Sequence, residues 1–268
     1  MAVVADVQYG DREPGEDRDY RGALTRLERV LEQLLAEAPT LGVQLGDLID
    51  GVRDDREASA VELARALGVL ERGGLPWLHV VGNHCLRVGR RALLERYGLQ
   101  RGYRSRVLDG WRLIVLDTGE RATHGRGEDE PEAAWARTWL EEHEQEPRAR
   151  PWNGAVSAAQ LTWLEEELAR PEPALVLGHH PLVPGAAREE FLCWNGEEVA
   201  ARLAAGGAAA YLAGHDHVGG FLEHEGVPHL TLPAVLAGEH GAWLDLEPGR
   251  IRLTGVGDVE DRVFEVRR

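Results

Sequence analysis

Short apolar runs alternate with longer amphipathic stretches through the first two thirds of the chain. Each run spans four or five residues and is bounded by Gly, Pro or acidic residues, which is typical of buried strands. The runs predict strands at residues 2–5, 42–45, 77–81, 113–116, 174–177 and 209–212.

The stretches between these runs predict helices. Within residues 20–37, leucines recur three and four residues apart, and Pro39 ends the pattern. Residues 58–70 and 158–168 repeat this spacing, the second after a serine N-cap at Ser157. A further helix is predicted at about 135–144.

Glycine and proline become frequent after His217 and separate short strand-like runs, which predicts an antiparallel meander. Strand–helix alternation followed by strands is typical of a layered α/β sandwich with two sheets. A length of 268 residues fits a single domain over 1–268. Residues 120–151 have the poorest core pattern and predict an insertion, with an acidic cluster at 128–130.

Composition excludes several kinds of chemistry. Acidic residues outnumber basic ones by 46 to 30, a net charge of -16, so we expect no nucleic-acid or membrane partner. The chain has no lysine, which excludes a P-loop lysine and a Schiff-base lysine. No serine stands in a Gly-x-Ser-x-Gly setting, which argues against a nucleophile-elbow hydrolase. Nothing in the sequence implies a protein partner.

Cysteine usage and the N-terminus indicate a compartment. Two cysteines, Cys85 and Cys193, do not make a disulfide framework, so we expect free thiols and a reducing environment. No run approaches the roughly 20 apolar residues that span a bilayer, and the first residues lack the pattern of a signal peptide. We therefore expect a cytoplasmic protein.

Five polar motifs each follow a predicted strand, the position where ligands gather in α/β sheets. They are Asp6-Val7-Gln8, Gly46-Asp47-Leu48-Ile49-Asp50, Gly82-Asn83-His84-Cys85, Gly178-His179-His180-Pro181 and Gly214-His215-Asp216-His217. Their side chains combine hard oxygen donors with imidazoles, a set that suits Mn or Fe and also Zn or Ni. Which of the adjacent His179 and His180 points into such a site is left open by the residues themselves.

In this order the motifs resemble those of the calcineurin-like metallophosphoesterase superfamily, from Asp6 to His217. The resemblance implies a four-layer α/β/β/α sandwich with two mixed sheets flanked by helices, and a dinuclear metal site. One metal would be held by Asp6, Gln8, Asp47 and His217, and the other by Asp47, Asn83, His179 and His215. A shared carboxylate can hold two cations about 4 Å apart, and a hydroxide between them would attack the phosphorus.

The resemblance also implies roles beside the metals. His84 is expected to protonate the leaving oxygen or contact the phosphate, and Asn83 to contact substrate as well as metal. Asp50 is expected to orient His84 or a ligand. Two positions depart from the superfamily pattern: Gln8 stands where His is common, which should weaken or reshape one metal position, and Cys85 where an acidic residue is common.

The Asp-x-Gln variant with the following Tyr9 resembles one branch, the manganese-dependent ADP-ribose/CDP-alcohol diphosphatases. The resemblance continues through Trp152-Asn153-Gly154, Gln160-Leu161-Thr162-Trp163-Leu164, Cys193-Trp194-Asn195 and Gly255-Val256-Gly257. It implies two divalent ions, Mn²⁺ first and Fe, Zn, Ni or Mg as alternatives. It also implies hydrolysis of the phosphoanhydride of nucleoside diphosphate-linked small molecules, with release of a nucleoside monophosphate.

Candidate substrate contacts lie outside the metal motifs. Trp194 beside Asn195 could stack on a base and read its edge, or could be a buried tryptophan at a helix start. Arg262 could hold the second phosphate, or form a surface ion pair. Two rival functions stay open: a phosphodiesterase of cyclic nucleotides or glycerophosphodiesters, because one fold serves many phosphoesters, and a non-catalytic binding scaffold.

Overall fold

The computed structural model of the protein describes residues 1–15, 18–127 and 130–266, and within them the strands form two sheets. The first sheet contains β1 (Ala2–Val4), β2 (Gly42–Gln44), β3 (Trp77–His79), β10 (Gly241–Glu247), β11 (Arg250–Val256) and β12 (Arg262–Glu265). The second contains β4 (Arg104–Leu108), β5 (Trp111–Val115), β6 (Ala174–Leu177), β7 (Ala210–Ala213), β8 (Gly220–His224) and β9 (Val227–Thr231). The strand orders are β12-β11-β10-β1-β2-β3 and β4-β5-β6-β7-β9-β8. Both sheets mix parallel and antiparallel pairs.

Helices flank the two sheets. They are α1 (Ala23–Ala36), α2 (Arg56–Glu71), α3 (Arg90–Arg96), α4 (Pro131–Glu142), α5 (Ala158–Leu168) and α6 (Gly196–Ala205). Short 3₁₀ helices lie at Cys85–Val88 and Glu189–Phe191. No helix of the described residues is long and apolar enough to cross a bilayer.

Three apolar cores separate four layers. Alternate residues of a strand face opposite sides of a sheet, so Val4 packs with Leu27 of α1, whereas Val3 packs between the sheets. On the outer side of the second sheet, Val176 packs with Leu164 of α5. The four-layer α/β/β/α sandwich is therefore confirmed.

Most predicted elements are confirmed, with small shifts at their ends. The Ser157 side chain accepts a hydrogen bond from the Gln160 N–H and caps α5, as expected. The predicted meander is correct for β10–β12, but β8 and β9 join the second sheet, where β9 runs parallel to β7. Strand β4 and helices α3 and α6 were not predicted. Both cysteines are free and buried.

The segment 120–151 contains α4, which includes most of the helix predicted at 135–144. That the segment is an insertion stays a prediction. Two acidic residues of its predicted cluster, Glu128 and Asp129, lie outside the described residues.

Candidate metal centre

All five polar motifs lie at the carboxyl ends of parallel strands. Strands β1, β2 and β3 of the first sheet carry the motifs that begin at Asp6, Gly46 and Gly82. Strands β6 and β7 of the second sheet carry those that begin at Gly178 and Gly214. The structure thus brings the motifs together where the two sheets meet.

Backbone conformation is unusual at four of the predicted ligands. Asp6, Gln8, Asp47 and His215 have φ values of 49°, 44°, 52° and 70°. This left-handed region is costly for residues with a Cβ, and strained residues concentrate at functional sites. Gly46 has a φ of 106°, which favours glycine, and space also requires glycine there, because a Cβ would lie 2.1 Å from Nδ1 of His179.

One group of donors surrounds His179. Its Nδ1 donates to the Leu45 carbonyl at 2.9 Å, and its Nε2 lies 3.0 Å from Oδ1 of Asn83 and 3.3 Å from Oδ2 of Asp47. Once a cation displaces the proton of Nε2, these three atoms are close enough to bind it together, since ligand atoms about 2.1 Å from one metal have similar spacing. The ligand atoms of Asp6, Asp47 and His179 also lie within 4.8 Å of one another.

A second group of donors extends the site through Asp6. Its Oδ2 accepts from the His215 N–H at 2.8 Å, while its Oδ1 lies 3.9 Å from Nε2 of His217. Oδ1 of Asp6 and Oε1 of Gln8 are buried, and within the described residues neither atom has a hydrogen-bond partner. Orphaned buried oxygens are costly unless a cation binds them, so both fit a metal. The Gln8 amide nitrogen donates to Asp47 at 3.5 Å, which orients its oxygen.

Protonation in the metal-free protein reflects the buried negative charge. Burial raises the pKa of Asp6 to about 7, with His179 opposing the rise and Asp47 adding to it. Although burial acts to lower it, the neighbouring Asp47 carboxylate raises the pKa of His179 to about 9. Burial lowers the pKa of His217 to about 4 and that of His215 well below its usual value. A cation would therefore meet two neutral imidazoles and displace protons from the other two groups.

Asn153 fixes the orientation of His215. Its Oδ1 accepts from Nε2 of His215 at 2.8 Å, which leaves Nδ1 as the nitrogen that could bind a metal. The Asn153 side chain is itself oriented, because its amide donates to the carbonyls of Arg148 and Glu190 at 2.9 and 3.0 Å. The role of Asn153 was not predicted from the sequence, although the motif that contains it was noted.

His180 belongs to the support of the site. Its Nδ1 lies 2.8 Å from the Thr118 hydroxyl and its Nε2 lies 3.3 Å from the Trp152 carbonyl, so both nitrogens are engaged. Its neighbour His179 faces Asp47 and Asn83 instead. The geometry therefore favours His179 as the ligand of the pair.

His84 lies beside the donors and is held by Asp50. Nδ1 of His84 lies 3.0 Å from both the backbone oxygen and Oδ1 of Asp50, so Nε2 is left for the cavity. Arg12 forms an ion pair with Asp50, and the His84 N–H donates to Oδ1 of Asp47 at 2.8 Å. Burial acts to lower the pKa of His84, but Asp47 and Asp50 outweigh it and raise the pKa.

Cys85 supports the Asp47 loop from behind. Its buried sulfur accepts from the Leu48 N–H at 3.2 Å and lies 3.5 Å from the Tyr97 hydroxyl. Burial raises the pKa of this thiol to about 12, so Cys85 is a neutral packing group. The departure from an acidic residue at this position therefore leaves the ligand set intact.

A cavity of about 760 Å³ opens at the donors. Its lining includes Gln8, Asn83, His84, His215 and His217, together with the arginines Arg18, Arg53 and Arg87 and the aromatic residues Trp152 and Phe191. Trp152 is 39% exposed, and the Phe191 ring lies edge-on to His215 at 5.5 Å. These two aromatic residues were missed as site residues, because Trp152 lies in a loop and Phe191 in a short 3₁₀ helix, and the position of both segments depends on distant contacts.

The structure corrects the predicted substrate contacts outside the motifs. Trp194 is buried and stacks on Trp139 at 4.8 Å, so its ring is not available to a base. Asn195 uses its side chain to bond both backbone atoms of Val156. Arg262 lies on β12, at the far edge of the first sheet, where it pairs with Glu260. None of the three lines the cavity at the metal donors.

Fold and site together define a dinuclear metallophosphoesterase arrangement, and comparison with known proteins agrees. The calcineurin-like phosphoesterase family matches residues 1–219. The chain belongs to this family. A match of this extent includes all five motifs.

Relatives of known name align over nearly the whole chain. A manganese-dependent ADP-ribose/CDP-alcohol diphosphatase of Danio rerio is 30% identical, over 97% of this chain and 96% of the relative. The human protein of that name is 27% identical, over 100% of this chain and 93% of its own length. The crystal structure of a dimetal phosphatase from Danio rerio superposes with a TM-score of 0.90 at 28% identity, covering 99% of this chain and 98% of the other.

Proposed function

We propose that the protein is a manganese-dependent diphosphatase that cleaves the phosphoanhydride of nucleoside diphosphate-linked small molecules such as ADP-ribose and CDP-alcohols. The observation that carries this proposal is the convergence of seven donor residues from five strand ends on one site, where Gln8, Asn83, His215 and His217 line a cavity of about 760 Å³ and the buried Asp6, Asp47 and His179 lie within 4.8 Å of one another. The names and nearly full-length similarity of the relatives support the same substrate class.

The proposed ligands divide into two sets that share Asp47. One set is Asp6, Gln8, Asp47 and His217, and the other is Asp47, Asn83, His179 and His215. Two bound cations would supply Lewis-acid activation of water and of the phosphate oxygens. The mixed oxygen and imidazole donors fit Mn²⁺.

The remaining chemistry is proposed for His84 and Asp50. With Nδ1 fixed on Asp50, Nε2 of His84 faces the cavity and can donate a proton to the leaving oxygen or a hydrogen bond to the phosphate. The raised pKa of His84 supports this role, because it favours the protonated form. Asp50, paired with Arg12, acts through His84 as a positioning residue.

The outer cavity suits a nucleoside. The exposed Trp152 and the Phe191 ring line it, and an aromatic face can stack on any base. They take the place that the sequence had suggested for Trp194. The two free cysteines support the further proposal that the protein works in the reducing cytoplasm.

The test compares substrates on the metal-reconstituted protein. Metal-free protein is loaded with Mn, Mg, Fe or Zn and assayed with ADP-ribose, CDP-choline, 2',3'-cyclic AMP and bis-p-nitrophenyl phosphate. We expect Mn to activate best and ADP-ribose or CDP-choline to have the highest kcat/KM, with AMP or CMP as product. A clearly higher kcat/KM for the cyclic nucleotide would refute the substrate class and favour a phosphodiesterase.

A further inference from the structure

Two arginines line the metal cavity without a partner. Arg53 and Arg87 form no ion pair or side-chain hydrogen bond with any described residue, although both line the cavity that contains His84. Many other arginines in the described ranges pair with a carboxylate, as Arg12 does with Asp50 and Arg90 with Asp117. The chain has a net charge of -16, so most guanidinium groups can find a carboxylate. Unpaired guanidinium groups beside the proposed metal centre are therefore available to an anionic ligand.

Arg87 is held on the His84 side of the cavity. It lies one turn after His84 in the 3₁₀ helix Cys85–Val88, and its backbone N–H donates to the His84 carbonyl at 3.1 Å. Its aliphatic stem packs against Gly51, where an added Cβ would lie 2.5 Å from Cδ of Arg87. Gly51 has a φ of 74°, so both conformation and space require glycine there. Arg87 is consequently half-buried and its position is restricted.

The positive charge is local to this cavity. Among the described residues that line it, Asp54 is the acidic side chain, whereas Arg18, Arg53 and Arg87 are three basic ones. An adjoining cavity of about 520 Å³ shares Arg87 and contains Arg56, but it is also lined by Asp54, Asp55 and Glu57. Arg126 there pairs with Glu130. Excess positive charge therefore lies at the metal cavity and not in the adjoining one.

Arg18 lies elsewhere in the same cavity. Its charge acts on His217, at the other proposed metal position, and its guanidinium contacts the Tyr20 hydroxyl at 3.4 Å. Arg87 is thus the unpaired cation held beside His84, and Arg53 lines the same cavity. His84 is the group proposed to act on the leaving oxygen, so this side of the cavity faces the leaving group.

We propose that Arg53 and Arg87 form an anion subsite that binds the phosphate of the leaving group, and that this subsite makes the protein select diphosphates over esters whose leaving group has no phosphate. The inference rests on the proposed function and adds a specificity determinant to it.

The chemistry of a diphosphate explains why such a subsite would act in the transition state. Hydrolysis forms a new P–O bond from water at the nucleoside phosphate, where one proton of the water stays, and breaks the bridging P–O bond, whose electron pair stays on the departing phosphate. The second proton of the water goes to solvent or, by way of His84, to the departing oxygen, and since the second pKa of a phosphate monoester is about 6, the released group is largely a dianion near neutral pH. Its negative charge grows as the bond breaks, and two guanidinium groups stabilise that growth.

The experiment uses a matched pair of substrates. ADP-ribose and the p-nitrophenyl ester of AMP share the nucleoside phosphate, but only the first has a phosphate in its leaving group. In Mn-loaded protein, Arg87→Ala and Arg53→Ala should each lower kcat/KM for ADP-ribose about 10- to 100-fold, and that for the ester much less. Arg87→Lys should recover part of the loss, because it keeps the charge without the planar fork.

Arg72→Ala is the control, because Arg72 is exposed and pairs with Glu28 away from the cavity. Arg72→Ala should leave kcat/KM unchanged for both ADP-ribose and the ester. Equal losses on ADP-ribose and the ester in Arg87→Ala, or no loss on ADP-ribose, would overturn the subsite.

A binding arm separates this inference from the proposed function. AMP and its α,β-methylene diphosphate analogue, which cannot be cleaved at the anhydride, are compared as inhibitors of ester hydrolysis. The analogue should bind more tightly than AMP to the unaltered protein, and Arg87→Ala should abolish that preference. The ratio of the two inhibition constants tests the subsite even if ADP-ribose is not hydrolysed. Failure to hydrolyse ADP-ribose would refute the proposed function alone, whereas a ratio of inhibition constants unchanged by Arg87→Ala would refute the subsite.

Discussion

Replacing Asn153 tests whether the metal site depends on its supporting hydrogen bonds. Asn153 is fully buried and makes three bonds, one from His215 and two to backbone carbonyls. Asn153→Ala removes all three bonds and leaves the His215 N–H without a partner, while the carbonyls of Arg148 and Glu190 keep their bonds from the Arg150 N–H and the Trp152 indole. At about 1 kcal/mol for each bond, the free energy of unfolding should fall by about 3 kcal/mol.

Metal affinity should fall as well. Groups that orient a ligating imidazole typically contribute about 10- to 100-fold in affinity, which corresponds to about 1.4–2.8 kcal/mol. The loss should be confined to the position that His215 serves, so a titration of Mn²⁺ followed by electron paramagnetic resonance should show one weakened and one nearly unchanged site. Asn153→Asp keeps an acceptor for His215 but loses both donors, so it should retain affinity while still destabilising the fold.

The control is Asn195→Ala. Like Asn153, Asn195 bonds the backbone through its side-chain amide, here that of Val156, but it does not contact the proposed metal ligands. It should lower stability and leave both Mn²⁺ affinities intact. Unchanged Mn²⁺ binding in Asn153→Ala would refute the reasoning. An equal loss in Asn195→Ala would show that metal affinity merely follows global stability.

Three other predictions concern the proposed centre itself. Asp47→Asn should remove most of both metals with little loss of fold, and two ions per chain by elemental analysis would contradict the bridging role. His84→Ala should keep both metals but lose about 10²- to 10⁴-fold in turnover on poor leaving groups and less on p-nitrophenyl esters; an equal loss on both indicates a positional role. Mn²⁺ affinity should rise from pH 6 to 9, because the cation must displace protons from groups with pKa values of about 7 at Asp6 and 9 at His179; a flat profile in titrations at constant ionic strength would contradict this.

The strand ends of the site could be predicted because the signal is local. Apolar runs of four or five residues followed by Gly and a polar donor place Asp47 and His179 directly after strands, and β6 has the predicted bounds. Residues between strands carry no such signal. Asn153 and Phe191 lie at the site only because contacts between segments far apart in the chain hold them there, such as the hydrogen bonds that join Asn153 to Glu190 and His215.

The burial of Trp194 likewise could not be predicted from the local sequence. The sequence places it beside Asn195 and before a helix, which is compatible with either an exposed or a buried ring. Helix α4 decides between them, because Trp139 and Trp135 of that helix lie 4.8 and 6.3 Å from its ring and cover it. For Arg262, the predicted meander did not give the order of strands, and that order places β12 three strands from β1.

The two sheets contribute different chemistry to the centre. Loops after β1, β2 and β3 supply the oxygen donors, and loops after β6 and β7 supply the imidazoles. Neither proposed metal has all its ligands on one sheet, so a complete site exists only when the sheets are packed through the apolar core between them. Bound cations would therefore stabilise the packing of the sheets, and small changes in that packing would alter metal affinity before they altered either sheet.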